Sequence, residues 1–165
     1  MKTKSEVRLM ALSLHVAMDL GAQGYIAFKN LPPAAGLVYY SENQNPGALL
    51  LNQDANFQLL GGADPFNLQP IQIWLLSDGT ATGINVAPGR FADPSGGVYA
   101  VPGVQAGGIA YLQVFGWSGN FDTREAAAQS GAAGVAVFQN PTGNAYAAPG
   151  LTGMNGLIIG IPEPS

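Results

Sequence analysis

The sequence contains no cysteine, and its one histidine, His15, lies near the amino terminus. Without cysteine the chain has neither disulfides nor thiolate metal sites. Because His15 falls inside a predicted signal peptide, the mature chain would contain neither residue type. These absences exclude catalytic triads that use histidine, cysteine nucleophiles and histidine zinc sites.

Charged residues are also scarce. They make up 10% of this chain, whereas globular proteins average about 25%. After residue 23 the cations are Lys29, Arg90 and Arg124, too few for the basic surface that binds nucleic acid. With 47% hydrophobic residues and a net charge of -4, the chain is not predicted to be disordered. This composition is common among exported bacterial β proteins, and we expect neither a cofactor nor a nucleic-acid partner.

The first 22 residues resemble a secretory signal peptide. Lys2, Lys4 and Arg8 form a basic start, 9–20 is apolar, and Gly21-Ala22 supplies small residues, which predicts cleavage after Ala22. The apolar run is too short for a membrane anchor. His15 and Asp19 interrupt it, so the alternative is an amphipathic amino-terminal helix of a cytosolic protein. We expect residues 1–23 to form a helix that packs poorly on the domain.

The stretch 108–139 is the predicted centre of the domain. Ile109–Trp117 is apolar on both faces, which predicts a central strand covered on both sides. Asp122 and Glu125 form a capping box for a short helix near 123–130, and Gly131 provides a left-handed stop. A second apolar strand, 135–139, follows.

Other short apolar runs, separated by Gly, Pro and Asn, predict a domain at 23–160 that is rich in strands. Asp78-Gly79 predicts a hairpin between strands at 70–76 and 82–86. Nine or ten strands with one short helix favour an all-β fold, a two-sheet antiparallel β-sandwich of jelly-roll type. The further predicted strands are 25–30, 37–41, 48–51, 57–60, 98–101 and 156–161.

The carboxylates offer few sites. Asp64 and Asp93 precede proline and Asp78 precedes glycine, which indicates turns. Glu42 and Asp54 have no evident structural role, so a glycosidase with this carboxylate pair stays an alternative. Asp54 and Asn56 have the D-x-N spacing of calcium ligands, although solvated loop residues would look the same.

Aromatic residues suggest a second type of site. Tyr39, Tyr40 and Tyr146 lie near loops and are candidates for stacking on a sugar ring. Trp74 and Trp117 lie in strongly apolar strands, and we expect both in the core.

The tail of the sequence, residues 161–165, resembles the start of the sorting signal of PEP-CTERM proteins. Its residues are Ile161, Pro162, Glu163, Pro164 and Ser165. The stretch YLQVFGWSGNFDTREAAAQSGAAGVAVFQ, the segment LTGM before the last strand and the start QGYIAFKN are similar to segments of such proteins. In that family an apolar helix and a basic cluster follow the motif. The sequence ends at Ser165, and we expect that anchor to be missing.

The resemblance implies export, processing by an exosortase where the sorting signal is complete, and a place at the cell surface or in the extracellular matrix. It implies no catalytic residues. The sequence therefore predicts a non-enzymatic, exported β-sandwich with exopolysaccharide or other surface components as partners. The alternatives are a carbohydrate-binding module and, with less support, the carboxylate-pair glycosidase.

Overall fold

The computed structural model describes residues 22–32, 36–42 and 55–161. The predicted amino-terminal helix, the strand at 48–51, Asp54 and the motif residues Pro162, Glu163 and Pro164 lie outside these ranges. For Glu42 the backbone is described and the side chain is not.

The described residues are mostly strand, with one short helix, α1, at Arg124–Gln129. The strands are β1 (Gln23–Ala27), β2 (Val38–Glu42), β3 (Ala55–Gly62), β4 (Gln69–Trp74), β5 (Asn85–Ala87), β6 (Arg90–Phe91), β7 (Val98–Gln105), β8 (Ile109–Ser118), β9 (Ala133–Pro141) and β10 (Leu157–Ile161).

Four of these strands form one antiparallel sheet in the order β4-β3-β8-β9. Three smaller pairs, β1-β7, β5-β6 and β10-β2, accompany it. The prediction of an all-β sandwich is confirmed. The β10-β2 pair is parallel, unlike the antiparallel sheets that we expected, because the long chain between these strands leaves their relative direction free.

The two layers meet at the core face of the four-stranded sheet. Ala110, Leu112 and Val114 of β8 are fully buried there. A Cβ on Gly116 would lie 2.8 Å from Cδ2 of Leu157, so β10 crosses directly over β8.

The opposite face of β8 is less covered than predicted. Tyr111, Gln113 and Phe115 are partly buried, and Ile109 is 54% exposed. The reason is the length of α1, whose six residues cover only the Trp117 end of the sheet.

Aromatic rings fill the core between the layers. The rings of Phe28 and Trp74 stack at 3.8 Å, and Phe91 contacts both Phe28 and Phe57. Such ring pairs contribute about 0.5–1.5 kcal/mol each beyond the area they bury. Trp117 is fully buried in a second cluster beneath α1. The core positions predicted for Trp74 and Trp117 are confirmed.

The helix begins one residue later than predicted. Its cap is Thr123, whose Oγ1 accepts a hydrogen bond from the Ala126 N–H at 3.2 Å. Asp122 is not the cap, and Glu125 bonds Arg124 instead of reaching back. Thr123 has the extended backbone that a cap requires. Gly131 has a φ of 75° and ends the helix as expected.

The hairpin predicted at Asp78-Gly79 is wrong. Residues 75–84 form successive turns, in which the Gly79 N–H bonds the Leu76 carbonyl and the Ala81 N–H bonds the Leu75 carbonyl. The strand that follows, β5, pairs with β6 and not with β4. Ala81 and Ile84 are fully buried, so packing of this segment on the core overrides the local turn signal.

Candidate functional site

The buried carboxylate of Asp93 is the centre of a hydrogen-bond network. It accepts from Nε1 of Trp74 at 3.3 Å, from the Tyr99 hydroxyl at 2.5 Å and from the N–H of Ser95 at 2.9 Å. The Gly97 N–H and the Ser95 hydroxyl also donate to it. The sequence predicted a turn at Asp93, and the structure adds a contact between the aromatic core and β7.

This network holds Asp93 in its ionised form. Burial opposes the charge, but the hydrogen bonds from Tyr99, Ser95 and Trp74 outweigh burial and lower the pKa of Asp93 below its ordinary value of 3.8. Burial, together with the bond to Asp93, raises the pKa of Tyr99 above its ordinary value of 10.0. The Asp93 carboxylate therefore accepts its hydrogen bonds from within the protein and has a structural role.

Two other carboxylates also have partners in the fold. Asp78 is exposed and accepts from the hydroxyl and N–H of Thr80, which lowers its pKa. Glu125 lies 2.8 Å from Nη2 of Arg124. The Arg124 guanidinium also sits 4.2 Å from the centre of the Phe115 ring and donates to Oε1 of Gln58.

Asn56, a predicted calcium ligand, is buried and bonded within the protein. Its Oδ1 accepts from the Leu76 N–H at 2.7 Å, and its Nδ2 donates to the Phe121 carbonyl. Its predicted partner Asp54 lies outside the described ranges. Within the described residues, no three Asp, Glu, His or Cys side chains are grouped so that they could hold a metal ion.

The three candidate tyrosines occupy different environments. Tyr146 is fully exposed at a loop tip, whereas Tyr40 packs against the core. Tyr39 is partly buried beside a cleft of about 590 Å³ that Val135, Asn155 and Ile158 also line. The structure does not bring these tyrosines together on one strand face, and their role in stacking stays a prediction.

The side of the four-stranded sheet that points away from the core, called the outer face below, carries several exposed apolar side chains. Three rows of side chains cross it, each defined by strand pairing. The first row is Ile73, Gln58, Phe115 and Val135; the second is Leu60, Gln113 and Val137; the third is Gly62, Tyr111 and Gln139.

The outer face combines aliphatic, aromatic and amide groups without a charge of its own. Val137 is 62% exposed, Val135 50% and Ile73 40%. Ile109, next along β8, continues the apolar surface. An exposed apolar patch of a few hundred Å² is of the ordinary size for a monomeric domain, and such patches are often functional.

Structure bounds the outer face at both ends. At the Phe115 end stands α1, which places Arg124 over the Phe115 ring. At the Tyr111 end are the loop between β3 and β4 and the loop after β9. Each of these loops carries a fully exposed aromatic residue, Phe66 and Tyr146.

The two loops hold these aromatic residues by the same local geometry. Oδ1 of Asp64 accepts from the Phe66 N–H at 2.9 Å, and Oδ1 of Asn144 accepts from the Tyr146 N–H at 3.0 Å. In both cases a side chain bonds the backbone two residues on, which is an Asx turn. The turns fix the loop backbone while the rings remain in water.

Sequence reasoning missed the outer face and the buried amides. Asn30 and Asn140 are fully buried and bond the backbone of distant loops, such as the carbonyls of Gly89 and Gly150. A signal was present, because Asn140 continues the alternating inward face of Ala136 and Phe138. The exposed residues of β9, which are Val135, Val137 and Gln139, alternate with these buried ones and offered the same signal for the outer face.

None of the described residues forms a helix with the length and apolar character needed to cross a membrane. Comparison with protein-family models, with curated proteins and with solved structures finds no match to this chain.

Proposed function

We propose that this chain is an exported, non-enzymatic β-sandwich protein of the PEP-CTERM type, which acts at the cell surface or in the exopolysaccharide matrix. The observation that carries the proposal is the outer face, a broad, exposed and uncharged surface on a rigid sheet. Such a surface is suited to contact with another molecule, and among its described residues only the phenol of Tyr111 could transfer a proton.

The partners of the carboxylates support the non-enzymatic part. The Asp93 carboxylate accepts hydrogen bonds from both its turn and the aromatic core. Asp78 and Asp64 bond their own turns, and Glu125 pairs with Arg124. These carboxylates accept hydrogen bonds from nearby groups of the fold, which favours a structural role for them over proton transfer to a substrate.

The part of the proposal that concerns export depends on the two ends of the sequence. The basic and apolar start with Gly21-Ala22 has the order of a signal peptide, and Pro162, Glu163 and Pro164 resemble a sorting motif. Gln23 begins β1, and its Nε2 donates to the carbonyl of Val101 at 2.6 Å. Cleavage after Ala22 would keep β1 whole and would remove one hydrogen bond, which the Ala106 N–H donates to the Ala22 carbonyl.

Expression of the full chain in a Gram-negative bacterial host tests this proposal. Intact mass and amino-terminal sequencing of the periplasmic and secreted fractions should give a protein that begins at Gln23. The matched control is Leu14→Arg, which breaks the apolar run and should remain in the cytosol uncleaved. Recovery of the unaltered chain from the cytosol with residues 1–22 still attached, as in the control, would contradict export.

A further inference from the structure

Three glutamines cross the outer face on a diagonal. Gln58 of β3 lies in the Phe115 row, Gln113 of β8 in the next row and Gln139 of β9 in the Tyr111 row. Diagonal neighbours on adjacent strands lie about 7–8 Å apart. The diagonal therefore brings an amide from three adjacent strands to one surface at regular intervals.

Two of these amides are available to a ligand. Among the described residues, the side chains of Gln113 and Gln139 have no hydrogen-bond partner, and Gln139 is exposed. Oε1 of Gln58 accepts from Nη1 of Arg124 at 3.1 Å, which leaves its Nε2 as a donor. A side-chain amide offers both donors and an acceptor, the combination that a sugar hydroxyl matches.

Aromatic rings flank the diagonal on both sides. Tyr111 and Phe115 lie on the same face of β8 on either side of Gln113 and are four residues apart, so their Cα atoms are separated by about 13–14 Å. Both are partly exposed, but the Arg124 guanidinium lies over the Phe115 ring, so Tyr111 is the better stacking surface. A flat apolar ring next to an amide is suited to the C–H face of a pyranose, whose hydroxyls then point to the amides.

The area of the outer face argues against a second copy of this chain as its occupant. Four strands with about 4.8 Å spacing and about 20 Å of shared strand length give a face of about 380 Å². A stable protein interface buries about 800 Å² on each partner. A narrow linear polymer fits the available area better than a folded protein.

The charge of the outer face argues against an acidic polymer. Its residues are neutral, and the nearest cation, Arg124, already pairs with Glu125 and donates to Gln58. An acidic polysaccharide would place its carboxylates beside amides and aliphatic groups without a counter-charge, which costs solvation free energy.

From these observations we infer that the outer face binds a neutral polysaccharide. Sugar rings stack on Tyr111, and their hydroxyls exchange hydrogen bonds with the amides of Gln113 and Gln139, while Val137 covers the apolar side of the chain. This inference depends on the proposed location at the cell surface or in the matrix, where such polymers occur.

Native gel electrophoresis in gels that contain a polysaccharide tests the inference. The full chain has a net charge of -4, so it migrates toward the anode, and binding slows it. The probes are hydroxyethylcellulose, galactomannan and dextran, with alginate as the acidic comparison and a plain gel as reference. We expect the protein to be slowed in at least one neutral gel and to migrate freely in alginate.

Variants assign that binding to the outer face. Gln113→Ala combined with Gln139→Ala should weaken binding about tenfold or more, because two hydrogen bonds are lost. Tyr111→Ala should do the same, and Tyr111→Phe, which keeps the ring, should bind. The matched control is Gln129→Ala, an exposed glutamine on α1, which should bind as the unaltered protein does. Equal urea midpoints would show that each variant is folded.

Several results would overturn the inference. They are free migration in every neutral gel, retardation only in alginate, or retardation that the Tyr111 and glutamine changes leave unaltered. Sedimentation of a dimer that Val137→Glu dissociates would assign the outer face to a second copy. A protein that is exported but not slowed would refute this inference alone, and one that is slowed but not exported would refute the proposed function alone.

Discussion

Replacement of Asp93 by alanine should destabilise the protein more than any other change of a described acidic residue. The carboxylate connects the turn at Ser95 and Gly97 to Trp74 and Tyr99. Its removal leaves donors from two parts of the fold without an acceptor. Ser95 and Gly97 lie near the surface, where water can replace the lost bonds. Trp74 is 2% exposed, so its indole N–H stays unpaired.

The expected cost follows from these environments. An unpaired buried donor costs about 1–3 kcal/mol, and a net hydrogen bond to a charged group, here from Tyr99, contributes about 1.5–3 kcal/mol. Because the bonds share one acceptor and are not additive, we expect a loss of about 3–4 kcal/mol in the free energy of unfolding. That is a large part of the roughly 5–15 kcal/mol that stabilises a typical domain.

Urea unfolding followed by tryptophan fluorescence measures this loss. The matched control is Asp78→Ala, which removes another turn aspartate with bonds to a hydroxyl and an N–H, but one that is exposed. The control should shift the urea midpoint far less than Asp93→Ala does. Equal midpoints for the two variants would refute the argument that burial makes the Asp93 network important.

The Asp93 network also predicts the direction of a pH effect. The hydrogen bonds lower the pKa of Asp93 in the folded protein below its ordinary value, so between the two pKa values the unfolded chain binds the proton more readily. The stability that the carboxylate contributes is therefore present above about pH 4 and lost as the pH falls through the folded-state pKa. The difference in unfolding free energy between the unaltered protein and Asp93→Asn should be constant from about pH 5 to 7 and should shrink below about pH 4. A difference that stays the same down to about pH 2.5 would contradict the lowered pKa of Asp93.

Two further changes test the packing of backbone and helix. Gly134→Ala should destabilise the protein strongly, because the new Cβ would lie 1.7 Å from the Ile158 carbonyl oxygen. Gly131→Ala meets nothing within 4 Å but has a φ of 75°, so it should cost only about 1–2 kcal/mol. Thermal unfolding compares the two variants, and a higher midpoint for Gly134→Ala than for Gly131→Ala would contradict the close approach of β9 and β10. Thr123→Ala should lower the free energy of unfolding by about 1 kcal/mol through loss of the helix cap. The control, Asp122→Ala, should lower it less. If urea unfolding showed Asp122→Ala to be the more destabilising change, the cap would lie at Asp122.

The alternation of side chains explains why most strands could be predicted. The segments that became β8 and β9 were evident from their apolar runs, and the helix was found within one residue of its cap. The hairpin prediction at Asp78-Gly79 was wrong although the turn itself is present, with a φ of 82° at Gly79. The chain after the turn packs on the core and does not return to pair with β4. A dipeptide predicts a turn and does not determine the strand that pairs next.

The outer face was harder to predict because both faces of β8 are apolar in the sequence. The amino-acid sequence does not show that the face with the smaller side chains, such as Ala110 and Gly116, is the buried one. The structure gives the reason. β10 approaches closely enough to need glycine at 116, so the bulkier residues, such as Tyr111, turn outward. The small residues of β8 therefore face β10, and on the bulkier face α1 buries Trp117.

The parallel pairing of β10 with β2 has a consequence for synthesis and transport. Leu157 pairs with Val38 and Ile161 with Glu42, so β2 has no sheet partner among the described residues until residues 157–161 have left the ribosome. Pairing between residues so distant in sequence is slow, because the intervening chain must first be closed into a loop. If the chain is exported as proposed, late closure of the sandwich would keep it unfolded for longer, and an unfolded chain is the form that passes through a narrow translocation pore.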